Sequence, residues 1–198
     1  VNFVANLPMK NIVIFASGGG SNAEKIMGFF AQSDVAKVTL IISNNTNAGV
    51  LQKANRFGIE SHLISNDDLK SPTELIEILA EKKTDLIVLA GFLRKIHGEI
   101  LRKFPNKIIN IHPALLPKYG GKGMHGKHVH QAVIDHQEKE SGISIHYVNE
   151  NYDEGAIIYQ AKCAVKKTDT ADSLAARVLE LEHEHFPRII NEILIGHR

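Results

Sequence analysis

The chain has 198 residues, 43% of them hydrophobic and 23% charged, with a formal net charge of +1. That length suits one domain with a real core, and the near-neutral balance gives no compositional case for nucleic acid or an anionic membrane as partner. No apolar run reaches the roughly 18–20 residues that span a bilayer, and the single Cys163 forms no intrachain disulfide, which fits a reducing cytoplasm.

The opening VNFVANLP lacks the basic start and long apolar centre of a signal peptide. Met9 followed by KNIVIF reads as a native start, so residues 1–8 are expected to be an upstream extension and 9–198 one domain. NIVIFA (11–16), VTLII (38–42), ESHLI (60–64), LIVLA (86–90) and KIINI (107–111) read as strands. Several are apolar without alternation, as in parallel strands covered on both faces. Helical patterns lie between them. One runs from Ser21 to about Ala31, and another from Ala48 to Phe57, closed by Gly58. In SPTE, Ser71 is expected as N-cap, Pro72 as the first helical residue and Glu74 as the return of a capping box. The alternation predicts an α/β fold with an open, mostly parallel twisted sheet, helices on both faces and a Rossmann-like N-terminal half. After Gly121 the rhythm changes. A helix is expected over Val129 to His136, strands over GISIHYV (142–148) and AIIYQAKCAV (156–165), and a long helix from Ala171 interrupted at Pro187.

The first strand ends in ASGGGSN, residues 16–22. A strand, glycines and a helix start together make an anion cradle of backbone N–H groups. Gly18, Gly20 and Ala23 satisfy the dinucleotide pattern G-x-G-x-x-A. The second strand, however, runs out into Ser43, Asn44 and Asn45 with no acid for a ribose. The loop therefore favours a phosphate monoester over a nicotinamide or flavin site, and a ligand-free tight turn stays open. In IINIHP, residues 108–113, Asn110 and His112 point to one face, about 7 Å apart along the strand, and Pro113 ends the run. An amide donor beside an imidazole suits acyl transfer, the one for an oxyanion and the other for a proton. A polar pair satisfied at a sheet terminus is the bland alternative. Asp153 in the NENYDEG loop is a candidate to orient the imidazole.

The blocks NIHPALLPKYGG, SGGGSN, AGFLR, GISIHYV and the DEG loop together resemble the phosphoribosylglycinamide formyltransferases, a branch of the folate-dependent formyltransferase family. The likeness runs from Met9 to the C-terminal helix. It implies the formyltransferase fold, and transfer of a formyl group from 10-formyltetrahydrofolate as co-substrate to the amine of glycinamide ribonucleotide in purine biosynthesis. It implies a metal-free reaction on two small molecules in the cytoplasm, by a monomer or homodimer. Another folate-dependent formyltransferase or a formyltetrahydrofolate hydrolase is the alternative, with a dinucleotide-dependent oxidoreductase more remote. The glycine loop and the chain length favour the ribonucleotide branch.

Residue by residue, the resemblance makes Asn110, His112 and Asp153 catalytic. It puts Gly20, Ser21 and Asn22 on the substrate phosphate, and Glu182 of EHEHFP on the glycinamide end. Leu93 and Arg94 border the folate pocket, and Asn149, Glu150, Asn151 and Tyr152 form the pterin loop. His146 matches a family histidine at the cleft wall. KYGGKGMHGKHVH, residues 118–130, is longer than the family's form and reads as a glycine-rich flap. Its His125, His128 and His130 lack interleaved ligands at metal spacing. The family's basic residue for the phosphate has no clear match, since SNDDLKSP offers only Lys70.

Overall fold

The computed structural model describes residues 8–196. Residues 1–7 of the expected extension, and the last two residues of the expected domain, lie outside the described residues.

The first strand, β1 (Lys10–Phe15), shows why the apolar runs do not alternate. Ile12 and Ile14 pack with α1 (Ser21–Phe30), α2 (Gly49–Arg56) and α7 (Ala171–Leu194) on one face. Val13 and Phe15 pack with α4 (Thr73–Glu81) and α5 (Gly98–Lys103) on the other. All four strand residues are fully buried. With β2 (Ala36–Ser43), β3 (Ser61–Leu63), β4 (Leu86–Leu89), β5 (Ile108–His112), β6 (Glu140–Tyr147) and β7 (Ile157–Ala164), β1 forms a seven-stranded sheet of order β3-β2-β1-β4-β5-β6-β7. The first five strands pair in parallel, as expected. The last two run antiparallel, β6 against β5 and β7 against β6. The chain order reverses direction across the sheet between β1 and β4, which makes a crevice beyond their carboxyl ends.

Two short helices escape the sequence reading: α3 (Asn66–Lys70) and α5. Five or six residues carry too little of a 3.6-residue period to be recognised. The expected cap at Ser71 is corrected as well. Ser65 is the N-cap with a full capping box to Asp68, and it caps α3. Ser71 closes α3 through its N–H to the Asp67 carbonyl (2.9 Å), so α4 follows Pro72 as N-cap without a side-chain cap. The α6 helix (Lys127–Asp135) starts two residues earlier than the pattern suggests.

The long α7 does not stop at Pro187. A proline inside a helix removes one ladder bond and costs about 3 kcal/mol. Here Phe186, Pro187, Ile189 and Ile190 are all buried, and burying such side chains is worth roughly 1.5–3 kcal/mol each, so packing outweighs the local penalty. The helix is also anchored at its start, where Thr170 and Ser173 form a capping box. Arg177 donates to both oxygens of Asp169 at 2.8 and 2.9 Å and holds that carboxyl far below the usual carboxylate range.

The end of α2 is a Schellman motif around Gly58, which has φ +66°. Its N–H reaches the Asn55 carbonyl at 3.0 Å, and Ile59 N–H reaches Ala54 at 2.9 Å. A Cβ at position 58 would meet no atom within 4 Å, so any cost of a side chain there is backbone strain alone. Gly58→Ala should therefore lower stability by roughly 1–2 kcal/mol. In a thermal melt that is a drop of about 2–4 °C per kcal/mol, and an unchanged melting temperature would contradict the left-handed assignment.

Candidate active site

The loops after β1 and β4 meet over the crevice, and Ser17 ties them together. Its N–H bonds the Gly91 carbonyl (3.1 Å), its Oγ accepts the Leu93 N–H (3.0 Å), and the hydroxyl donates to Asn44 Oδ1 (2.6 Å). Asn45 donates to the Ser17 carbonyl at 3.2 Å. The two asparagines that end β2 are thus braces for the glycine loop, which explains polar amides where a dinucleotide fold would carry an acid. Gly20 is left-handed at φ +69°, and a Cβ there would lie 2.5 Å from the Val50 side chain. No side chain caps α1 after it, which leaves the N–H groups of its first turn for an anion.

A cavity of about 460 Å³ opens beside these loops. Asn22, Glu182, Leu93, Arg94, Asn110, His112, Asn149, Asn151, Tyr152 and Asp153 all line it. Gly20 and Ser21, just before Asn22, lie outside its lining, as does Glu150 between Asn149 and Asn151. Lys70 is not in the cavity. It pairs with Asp67 at 3.0 Å on the surface and borders a separate groove with Arg94, Lys95 and His97.

Strand geometry sets the centre of the cavity. Asn110 and His112 sit on one face of β5, and the antiparallel register places His146 of β6 directly opposite Asn110. The Asn110 Nδ2 is 3.1 Å from His146 Nε2. The Asp153 carboxylate comes in from the loop after β6. Oδ2 lies 3.6 Å from His112 Nδ1, and Oδ1 lies 3.6 Å from His146 Nε2. Gly121 N–H donates to Asp153 Oδ2 at 2.9 Å. Asp153 itself has φ +57°, a conformation that Asp tolerates better than most residues. Two glycines make room for it. A Cβ on Gly120 would lie 3.1 Å from Asp153 Cβ and 2.6 Å from Leu116, and one on Gly155 would lie 1.7 Å from the Tyr147 carbonyl.

His112 is buried, at 4% exposure. Its Nε2 lies 2.7 Å from the Tyr119 carbonyl, which can only accept, so that nitrogen carries a hydrogen. Burial lowers the His112 pKa, and the Asp153 charge and the Tyr119 carbonyl recover only part of the drop. Nδ1 of the neutral ring therefore turns a lone pair toward a carboxylate, a pair of acceptors ready for a proton. Burial by itself would raise Asp153, but its polar neighbours, the His146 and His112 imidazoles and the Gly121 N–H, together leave it below the usual carboxylate value.

Tyr119, absent from the sequence-based site, supplies that carbonyl. It is left-handed at φ +58°, and its phenol donates to Glu138 at 2.9 Å. Burial and the Glu138 contact push the phenol up to about 12. Only its place in LPKYGG, just before two glycines, could have flagged it. Of the flap histidines, His125 and His128 are exposed with ring centroids 6.2 Å apart. His130 is buried, and burial, with the neighbouring His112, lowers its pKa. Among the described residues no group of three His, Cys, Asp or Glu is placed to hold a metal ion, and no helix is long and apolar enough to cross a membrane.

Glu182, on α7, is 8% exposed. Among the described residues its one hydrogen-bond partner is the Asn22 amide, which donates to Oε2 at 2.5 Å. Burial raises its pKa to about 7, against a lowering pull from Asn22.

Comparison with known proteins bears on this geometry. The formyl transferase family model matches residues 10–190. The chloroplastic phosphoribosylglycinamide formyltransferase of Arabidopsis thaliana is 39% identical over 190 residues, 93% of this chain, although the chain spans only 65% of that relative's length. The phosphoribosylglycinamide formyltransferase of Escherichia coli K12 is 33% identical over 91% of this chain and 85% of its own. Among solved structures, glycinamide ribonucleotide transformylase 1 from Symbiobacterium toebii superposes with a TM-score of 0.87 at 33% identity, covering 95% of this chain and 89% of that one.

The raised Glu182 pKa makes a stability prediction. Between about pH 4.5 and about pH 7 the folded protein holds a proton that the unfolded chain releases, so this residue's contribution falls as pH rises through that window and is flat above it. Glu182→Gln removes the titration. Urea unfolding should find the variant equal to the parent at the acid end. At the alkaline end it should be more stable by at most about 3 kcal/mol. Parallel pH profiles for the two proteins would contradict a buried, charge-penalised Glu182.

Proposed function

The chain belongs to the formyl transferase family, and from that premise we propose that it transfers a formyl group from 10-formyltetrahydrofolate to the amine of glycinamide ribonucleotide, a step of purine biosynthesis. The observation that carries the reading is the meeting of Asn110, His112 and Asp153 in one cavity that also reaches Asn22 and Glu182. The names of the full-length relatives support the choice of acceptor.

The cavity suits both substrates. Leu89, Phe92, Leu93, Ile96 and Val148 give it apolar walls, and the 149–153 loop adds polar backbone, which is what a reduced pterin ring needs. Asn151 N–H bonds the Asn149 side chain at 2.9 Å, and the Asn151 amide bonds Glu154 at 2.8 Å, so the loop holds its shape by its own side chains. The uncapped start of α1 would take the phosphate, with Gly20, Ser21 and Asn22 as its cradle. Glu182 and Asn22 would receive the glycinamide amine.

The reaction joins the amine nitrogen to the formyl carbon, breaks that carbon's bond to the folate nitrogen, and moves one proton from amine to folate nitrogen. Asn110 would donate to the oxyanion formed when the formyl carbon becomes tetrahedral. Such a donor in a water-poor site is typically worth about 3–4 kcal/mol. His112 rests neutral, so it can take up positive charge when the amine sheds its proton through a bridging water. Asp153 would then close on His112 Nδ1 and hold the imidazolium, shortening a contact that is 3.6 Å at rest.

The purified chain should release folate product only when both substrates are present, followed by its absorbance. Asn110→Ala should lower kcat about 10²–10³-fold while leaving KM nearly unchanged. Folate product released without the ribonucleotide would replace this reading with a hydrolase, and near-parental turnover by Asn110→Ala would remove the oxyanion role.

A further inference from the structure

An amide on a strand can be turned either way, and the turn decides whether it donates or accepts in the cleft. His146 settles it. This ring is buried, at 2% exposure. Its Nδ1 lies 2.9 Å from the Tyr147 carbonyl oxygen. A carbonyl only accepts, so Nδ1 bears the hydrogen, and the neutral ring keeps its lone pair on Nε2. The atom facing that lone pair at 3.1 Å is the Asn110 Nδ2. An amide oxygen in that place would set acceptor against acceptor.

The arrangement is built in by the backbone. Asn110 and His146 are opposed in the β5–β6 ladder. On the other side of β6, the pairing with β7 slips between Ile145 and His146, and such a bulge re-aims the side chain beside it. A Cβ on Gly155 would lie 3.6 Å from His146 Nδ1 as well as striking the Tyr147 oxygen, so the glycine leaves the carbonyl free to hold the ring. The charged and titratable groups that face the imidazole are Asp153, with Oδ1 at 3.6 Å, and His112 beyond it. The Asn110 contact is the shorter one.

We propose that His146 is a positioning residue. Locked as the Nδ1–H tautomer by the Tyr147 carbonyl, it accepts one N–H of Asn110 and so commits the second N–H to the formyl oxygen. The claim about the formyl oxygen rests on the function proposed above, whereas the tautomer and the amide orientation do not.

The first measurement is a long-range ¹H–¹⁵N spectrum of histidine-labelled protein, with His146 assigned by loss of its signals in His146→Gln. The expected pattern is a protonated Nδ1 and an unprotonated Nε2. An Nε2–H or doubly protonated ring overturns the proposal, whatever the protein's substrate. Kinetics supply the second readout. His146→Leu should lower kcat about 10²-fold with KM values within about threefold. His146→Gln, whose Oε1 can take the place of Nε2, should recover about tenfold of that loss. The double variant Asn110→Ala/His146→Leu should be no slower than Asn110→Ala alone. Independent, multiplying losses would mean that His146 does not act through Asn110. If the parent protein does not turn over at all, the proposed function fails, and the spectrum still decides the tautomer.

Discussion

The Asp153 carboxylate sits where burial opposes its charge, and the polar groups gathered around it hold it in its charged form. Gly121 supplies an N–H, and His112 and His146 approach from two strands. Each of these neighbours needs its own support. Gly121 belongs to a turn that packs against Leu116 and Asp153 because Gly120 lacks a side chain. His112 is held by the Tyr119 carbonyl, and Tyr119 by Glu138, which Lys118 neutralises at 2.8 Å. His146 is held by the Tyr147 carbonyl, over which Gly155 lies. The run from Leu116 to Gly121 and the loop from Tyr147 to Gly155 are therefore one interlocked unit. A charge left unpaired in such a place would cost several kcal/mol, which is more than most single contacts return.

The sheet explains why this unit can form. Parallel strands β1, β4 and β5 deliver three loops to one crevice, and Ser17 ties two of them. A further parallel strand would need a crossover that carries the chain away from the third loop. The switch to antiparallel β6 instead brings His146 back against Asn110, and the short return to β7 leaves the 148–156 loop folded toward the same cavity. Direction reversal in the sheet is thus what turns two strand residues into a cluster of four.

Much of this was legible in the sequence, for physical reasons. Strands buried on both faces show as unbroken branched runs, so β1, β2, β4 and β5 stood out. The i, i+2 spacing put Asn110 and His112 on one face without any structure, and the glycine loop announced an uncapped helix start. Other features left no such trace. Ser65 and Ser71 both begin an S-x-x-acid pattern, and the choice between them depended on α3, too short to see. Pro187 reads as a stop because local propensity says so, while the burial that overrides it is tertiary. The grip of Tyr119 on His112 is made by a backbone carbonyl, to which sequence is blind. The pairing of Asn110 with His146 needed a register and a bulge, and a shift of one residue would have turned the ring to the opposite face.

Two carboxyl groups line the cavity, and their environments push them in opposite directions. Asp153 has an N–H and two imidazoles around it and stays charged. Glu182 has one amide, and burial lifts it to about 7. Beside it the Asn22 Oδ1 is buried with no partner among the described residues. A half-satisfied carboxylate next to an unpaired acceptor is an environment that lacks donors, and a primary ammonium supplies three. Such a ligand would draw Glu182 into its charged form. Pairs of acids driven apart in this way divide their work. Asp153 is held toward its charged form by its surroundings, while Glu182 is held toward its neutral one.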